Sequence, residues 1–166
     1  IMQNIIFETE RLFVEPMKNE DSDFIYQLVN SEGWIKNIGD RNINNIEDAA
    51  HYIHKIVNNS NYTYLVFKLK ETQKSLGLVT LIKRDYLEDY DIGFAILPEF
   101  EKKGYAYEAS QKFMEIIKTN KICNKVLAIT LPENISSILL IEKLGLEYIN
   151  EITEKNEKLA VYQKII

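Results

Sequence analysis

The sequence predicts a mixed α/β (α+β) fold, in which one central sheet of about seven strands carries helices on both faces. Two observations predict it. Runs rich in aromatic and β-branched residues are interspersed with segments of helical periodicity, in the order βααβββαβαββ. No Pro/Gly/Ser-rich linker, repeat or low-complexity stretch interrupts the 166 residues. We therefore expect a single domain over residues 1–166.

The N-terminal half accounts for the first strand, two helices and three further strands. Leu12-Phe13-Val14-Glu15-Pro16 alternates and then stops at proline, as a short strand does. Asp21 is expected to cap the first helix, and the second helix is expected to follow Asn45, with Glu47 and Asp48 in its first turn. Strand-like composition recurs over residues 62–69, 76–83 and 90–97. The polar connection at residues 71–74 predicts a hairpin between the first two of these strands.

The C-terminal half begins with a helix over residues 104–120. An apolar strand over residues 126–131 ends at Pro132, and Asn134 can cap a helix that stops at Gly145. Residues 146–153 and 159–165 are interpreted as a final antiparallel pair. These elements complete the predicted order.

Composition limits the partners. Twenty basic and 25 acidic side chains give a net charge of −5, which argues against nucleic acid or an anionic membrane as the main partner and mildly favours an amine. Cys123 is the single cysteine, so no internal disulfide is possible, and we expect a reducing compartment, the cytoplasm. No apolar run approaches the roughly 20 residues that span a bilayer, and we find no signal-peptide pattern.

The stretch ILPEFEKKGYAYEA, residues 96–109, joins a strand to a helix through a charged turn. The first turn of a helix leaves backbone N–H groups free to bind an anion. Gly104 and Ala106 allow close approach, and Lys102 and Lys103 add positive charge. The local sequence fits a phosphate-binding turn and also a solvated polar loop.

With its neighbours, this stretch resembles a known family. DIGFAILPEFEKKGYAYEA is similar to the acetyl-CoA-binding segment of the GCN5-related N-acetyltransferases (GNAT), Thr9-Glu10-Arg11-Leu12 resembles their opening word, and ENISSILLIEKLGLEY resembles their second motif. Asn134 and Ser137 keep the spacing of the ribosomal-protein-alanine (Rim-type) branch. The resemblance covers almost the whole chain and implies a mostly antiparallel central sheet.

The resemblance implies acetyl-CoA as the co-substrate, with no metal. It places the pantetheine arm and the pyrophosphate on a set of cofactor-binding residues: Ile96, Leu97, Lys102, Lys103, Gly104, Tyr105, Ala106, Asn134 and Ser137. Two positions depart from the family pattern. Glu101 stands where Gln or Arg is usual, and we expect its side chain to turn away from the phosphates. Ile141 replaces the tyrosine that protonates the departing thiolate in many members.

The implied reaction is direct attack of an amine on the thioester. Asp91 is the leading candidate for the group that takes the amine proton, ahead of Glu88 and Asp89; a solvated acid at the strand edge is the alternative for Asp91. A backbone N–H within residues 94–96 is expected to bind the carbonyl oxygen. Ser137 is expected to assist the leaving sulfur, or else only to satisfy a backbone group in the first helical turn.

The acceptor is expected to be a small-molecule amine or a protein N-terminus. Trp34, Asp40 and Arg41 lie where this family often builds the acceptor site, although a packed loop anchor fits them equally. His51 and His54 have a spacing compatible with metal ligands, but no third or fourth ligand is evident, so we expect no metal. An acyl-CoA-binding or sensing module with the same fold is the alternative function. An exposed strand edge makes a homodimer plausible.

Overall fold

The computed structural model describes residues 4–166, within which eight strands and five helices are formed. The strands are β1 Phe7–Glu8, β2 Leu12–Pro16, β3 Tyr62–Leu69, β4 Ser75–Ile82, β5 Asp91–Ile96, β6 Lys125–Thr130, β7 Glu147–Glu154 and β8 Glu157–Ile165. The helices are α1 Ser22–Val29, α2 Glu32–Asn37, α3 Ile46–Val57, α4 Tyr105–Thr119 and α5 Ile135–Lys143. Ile1 to Gln3 lie outside the described residues.

The eight strands form one sheet in the order β1-β2-β3-β4-β5-β6-β8-β7. Every neighbouring pair is antiparallel except β5 and β6, which run parallel. The predicted mixed, mostly antiparallel sheet is therefore confirmed. β7 forms one edge of the sheet, and most of its side chains are exposed. A homodimer that pairs through such a strand edge stays a prediction.

Each face of the sheet packs against its own helices. On one face α4 buries Ala109, Phe113 and Ile117 against strand residues such as Phe67 and Leu81. On the other face α1 and α3 cover the sheet with a second set of apolar side chains: Phe24, Ile25, Leu28, Val29, Ala49, Ile53 and Ile56. Burial of large apolar side chains on both faces stabilises the fold and fixes which strand face each residue occupies. The predicted helices on both faces are confirmed.

Two elements were not predicted from the sequence. β1 consists of two residues that pair with Phe13 and Val14 of β2, too few for an alternating pattern. α2 has six residues and includes Gly33, a poor helix former. Its presence raises the number of helices before β3 from two to three.

The cap predicted at Asp21 is not formed by its side chain, whereas the second helix follows Asn45 as predicted. Asn45 caps α3, because its side-chain oxygen accepts a hydrogen bond from the Asp48 N–H at 2.7 Å. Asp21 precedes α1 but does not cap it. Its carboxylate accepts the Lys18 N–H at 2.9 Å instead, and residues Asn19–Asp21 form a short 3-10 turn before the helix. No helix within residues 4–166 has the length and apolar character needed to cross a membrane.

Candidate active site

The parallel strands β5 and β6 are joined at a single register pair. Asp91 lies opposite Leu127, and the Leu127 N–H donates to the Tyr90 carbonyl at 2.9 Å. Within the described residues no later pair continues this ladder. From Gly93 onward, the edge of β5 that faces β6 therefore lacks a strand partner, and a gap opens toward the carboxyl ends of both strands.

Two backbone N–H groups of β5 point into this gap. The Leu97 N–H donates to the Leu76 carbonyl of β4 at 2.9 Å. Alternation along an antiparallel pair then directs the amides of Gly93 and Ala95 to β4, and those of Phe94 and Ile96 toward β6. Of the two strand residues expected at the pantetheine, Ile96 presents its amide to the gap, while the Leu97 amide is already occupied.

The N-terminus of α4 lies beyond the carboxyl end of β5, where the gap opens. The loop before it places Lys102 and Gly104 at φ of 62° and 82°, and no side chain caps the helix. Its first N–H groups are thus free to bind an anion. Glu101, Lys102, Lys103 and Gly104 are exposed, and Tyr105 is half-buried.

Arg11 fixes this loop to the rest of the sheet. Its Nε donates to Glu108 Oε1 at 2.7 Å, and its backbone N–H donates to Glu108 Oε2 at 2.9 Å. The Thr9 hydroxyl donates to the same Oε2 atom. The Glu108 carboxylate therefore binds three donors from the turn between β1 and β2.

The other end of the Arg11 guanidinium reaches the loop itself. Nη1 donates to the Lys103 carbonyl at 3.1 Å, and the guanidinium carbon lies 4.3 Å from the centroid of the Tyr105 ring. A Cβ on Gly104 would come within 3.3 Å of Arg11 Nη2. Arg11 of the motif Thr9-Glu10-Arg11-Leu12 thus contacts and holds the turn that precedes α4. Its partner, Glu108, was not predicted.

The N-terminus of α5 is the second helix end at this edge. Asn134 caps the helix: its Oδ1 accepts the Ser137 N–H and the Ser136 hydroxyl, each at 3.3 Å. Ser137 is half-buried. Its hydroxyl makes no hydrogen bond with any residue that the structure describes, which leaves it able to donate to a bound molecule. Because β5 and β6 are parallel, the starts of α4 and α5 follow strand ends on the same side of the sheet.

Asp91 lies at the closed end of the gap. Its side chain is buried and accepts a hydrogen bond from Arg84 Nε at 2.8 Å. Burial raises the pKa of the Asp91 carboxyl above its ordinary value, and the Arg84 charge opposes part of the rise. The alternative of a solvated strand-edge acid does not fit a residue that is 2% exposed. Arg84, seven positions earlier in the chain, was missed from the sequence.

The two other acids considered with Asp91 lie in the loop before β5. Glu88 is exposed and pairs with Lys125 on the surface, which lowers the pKa of the Glu88 carboxyl. Asp89 is half-buried. Ile141, at the position of the family tyrosine, is buried in the core beneath α5 and offers no proton.

The three residues expected at the acceptor site have different surroundings. Trp34 is buried among the helices on the α1–α3 face, and its Nε1 has no hydrogen-bond partner within residues 4–166. The Asp40 carboxylate accepts the Asn42 N–H at 2.8 Å and so shapes the loop between α2 and α3. Arg41 is exposed, and its charge opposes part of the rise that burial causes in the pKa of Tyr52 on α3.

The remaining residues of interest lie away from the gap. His51 and His54 are exposed on α3, and within the described part of the chain they belong to no group of three His, Cys, Asp or Glu residues that could hold a metal. Cys123 is half-buried at the turn before β6, and burial raises the pKa of its thiol.

Comparison with known sequences identifies the domain. Residues 11–147 match the family described as an acetyltransferase (GNAT) domain. The chain is also 25% identical over 138 residues to YnaD of Bacillus subtilis (strain 168), an uncharacterized N-acetyltransferase; the match covers 83% of this chain and 80% of that protein.

Comparison with solved structures agrees on the fold. RimL, a ribosomal L7/L12 alpha-N-protein acetyltransferase in complex with coenzyme A, superposes with a TM-score of 0.85 at 11% identity over 98% of both chains. The microcin C7 self-immunity acetyltransferase MccE, in complex with acetyl-CoA and AMP, gives 0.82 at 18% identity over 95% of this chain and 93% of that one. At these identities the likeness shows the fold alone.

We expect Glu108→Gln to lower the free energy of unfolding by about 1 kcal/mol near neutral pH, because the neutral amide loses charge-assisted bonds from Arg11. Burial alone would raise the pKa of Glu108, but hydrogen bonds from Thr9 and Arg11 hold it below its ordinary value of 4.5. The stabilisation by the charged carboxylate is therefore present above the ordinary pKa, and it is lost as the pH falls through the lowered pKa of the folded chain.

Urea unfolding of both proteins at neutral pH and at a pH low enough to protonate Glu108 measures this difference. Glu115→Gln is the matched control on α4, because Glu115 is exposed and pairs only with Lys112 at 3.4 Å. A loss for Glu108→Gln that is equally large at both pH values would contradict the assignment.

Proposed function

Because the chain belongs to the GNAT acetyltransferase family, we propose that it moves the acetyl group of acetyl-CoA to a primary amine. The observation that carries the proposal is the gap between β5 and β6, which joins at Asp91 and Leu127 alone. Free backbone N–H groups line that gap, and two helix N-termini lie at its open edge. A thioester arm and its phosphates need this combination of donors.

The free amides of β5 are suited to the acyl end of acetyl-CoA. The Phe94 and Ile96 N–H groups face the gap, so the pantetheine arm is expected to pair with β5 like an additional strand. One of these amides binds the carbonyl oxygen as negative charge develops on it. The Leu97 amide donates to β4, so we assign Leu97 to the cofactor through contacts other than its N–H.

The α4 N-terminus is suited to the pyrophosphate. The amides of Gly104, Tyr105 and Ala106 approach the phosphates, and Lys102 and Lys103 supply positive charge. Glu101 is exposed beside them, and we expect its carboxylate to face solvent. Arg11 holds the loop through the Lys103 carbonyl and leaves the α4 amides free. At α5, Asn134 and Ser137 are expected to contact the pantetheine end.

The reaction forms a bond between the amine nitrogen and the acetyl carbon while the carbon–sulfur bond breaks. The attacking amine must lose its proton, and we assign that proton to Asp91, directly or through a water. A carboxyl whose pKa is raised by burial is a better proton acceptor than an ordinary aspartate. Ser137, whose hydroxyl has no partner within the described chain, donates a hydrogen bond to the departing sulfur in place of the tyrosine replaced by Ile141.

The acceptor is a primary amine of a small molecule or of a protein N-terminus. It is expected to approach on the α1–α3 face of the sheet. Gly93 and Ala95 are partly exposed on that face, which leaves β5 accessible there, and the loop that carries Arg41 lies on the same side. RimL, which shares the fold, is described as acting on a protein N-terminus.

The direct test follows free thiol release from acetyl-CoA with a panel of primary amines: a polyamine, amino-acid amides and short peptides. We expect release above background with at least one amine, together with CoA binding in calorimetry. CoA binding without release for any amine would indicate the alternative, an acyl-CoA-binding module. Absence of both signals would contradict the proposed function.

Asp91→Asn is expected to lower kcat by about 100-fold and to change the KM for acetyl-CoA little, because the isosteric amide cannot take a proton. Asp85→Asn is the control, because Asp85 is an exposed aspartate in the loop that precedes β5. The unfolding temperature of each variant separates lost chemistry from lost folding, since Asp91→Asn leaves Arg84 without its partner. Wild-type turnover by Asp91→Asn would remove Asp91 from the mechanism.

Ser137→Ala is expected to lower kcat by about tenfold, because the departing sulfur loses a hydrogen-bond donor. Ser136→Ala is a closely matched control: Ser136 is the preceding residue, it is exposed, and its hydroxyl bonds only to the Asn134 cap. Steady-state kinetics with the best amine of the panel measure both variants. Equal rates for the two variants would leave Ser137 with a structural role only.

A further inference from the structure

A row of polar groups crosses the α1–α3 face of the sheet and leads to β5. Tyr64 on β3 lies opposite Thr80 on β4, and Thr80 lies opposite Gly93 on β5. Residues opposite each other in a sheet project to the same face. A Cβ on Gly93 would lie only 2.7 Å from the Thr80 hydroxyl oxygen, so the row comes into contact with β5 two residues after Asp91.

The outer end of the row is Arg41. Tyr52 of α3 lies close enough to Tyr64 and to Arg41 to interact electrostatically with both. Burial raises the pKa values of Tyr52 and Tyr64, and the Arg41 charge opposes both rises. The two hydroxyls therefore stay protonated near neutral pH. Arg41 Nη1 lies 3.0 Å from where a Cβ on Gly39 would stand, so the absence of a side chain at Gly39 makes room for the guanidinium.

Arg41 and the other arginine near this row differ in how their charge is balanced. Arg84 donates to the buried Asp91 carboxylate. Arg41 forms no ion pair with any residue between 4 and 166, and the Asp40 carboxylate beside it is bonded to the Asn42 N–H. Arg41 is thus an exposed guanidinium whose fork is available to a carboxylate or a phosphate.

We propose that the acceptor is a small amine that also carries an acidic group, a carboxylate or a phosphate, which Arg41 binds while the amine lies at β5. The proposal rests on the acetyl transfer proposed above and names the class of its substrate. Two strand spacings of about 4.8 Å each separate Tyr64 from Gly93. A dipeptide or a short aminoacyl compound spans that distance between the acid-binding end and the reacting end, since an extended chain advances about 3.5 Å per residue.

The test uses pairs of α-amines that differ in one acidic group. Glycyl-aspartate amide with glycyl-asparagine amide tests the carboxylate, and glycyl-phosphoserine amide with glycyl-serine amide tests the phosphate. For the wild-type chain we expect kcat/KM to be about tenfold or more higher for the acidic member of at least one pair. The pair that shows the larger ratio identifies which acid is recognised.

In Arg41→Gln the ratio of kcat/KM between the acidic and the neutral member of a pair is expected to fall to about one. Arg41→Lys should keep part of this ratio, since a lysine retains the charge but not the two parallel N–H donors of the guanidinium. Lys36→Gln, which removes an exposed charge from neighbouring α2, should leave the ratio as in the wild type. Each variant is first checked for an unchanged unfolding temperature.

Two outcomes would overturn the inference while the proposed function stands: wild-type acetylation with no acidic preference, or a preference that survives in Arg41→Gln. If no amine is acetylated, the proposed function fails instead. NMR titration of glycyl-phosphoserine amide and glycyl-aspartate amide into the wild type and Arg41→Gln then decides the acid-binding role directly. Binding that the variant loses supports it, and binding that is absent or unchanged contradicts it.

Discussion

The parallel contact between β5 and β6 is the constraint on which the rest of the site depends. All the other strand pairs of the sheet are antiparallel ladders, and this one is joined at Asp91 and Leu127. A parallel pair brings the carboxyl ends of both strands, and the helices that follow them, to one edge of the sheet. Backbone amides along the opened edge of β5 need a partner, because unpaired amides are costly once water is excluded. The gap is therefore shaped for an extended molecule with carbonyl groups.

A second contact, between Arg11 and Glu108, connects the sheet to the loop before α4. That loop contains Lys102 with a φ of 62°, a left-handed conformation that costs a non-glycine residue about 1 kcal/mol or more. Such a backbone persists where its surroundings hold it. Arg11 does so from the far end of the chain, through the Lys103 carbonyl and the Tyr105 ring. An anion site made of backbone amides works only when those amides are fixed in advance, so this ion pair would support the proposed binding site.

The sequence predicted the sheet and its long helices because apolar periodicity records which face is buried. It missed β1 and α2, which are too short to carry a period. For the candidate site it pointed to Gly104, Asn134 and Ser137 by motif and to Asp91 by its place at the start of a strand, but not to the partners Arg84 and Glu108. Ion pairs form between positions brought together by folding, and Arg11 and Glu108 are 97 positions apart. The direction of the Leu97 amide likewise depends on strand register, which composition does not determine.

The distribution of charge explains why the net charge says little about the ligands of this chain. The net charge of the chain is −5. Lys102 and Lys103 nevertheless lie beside the uncapped amides of α4, where the gap opens. On the α1–α3 face of the sheet, Arg41 has no acidic partner in the described chain. Two of the acids near these positions are paired internally, Glu108 with Arg11 and Asp91 with Arg84, while Glu101 is exposed beside the lysines. Pairing the acids internally leaves positive groups at two places, one on each side of β5. A reaction that joins an anionic acyl donor to a second molecule needs the donor's phosphates on one side of the strand. The positive group on the other side of the strand, Arg41, is then left for the second molecule.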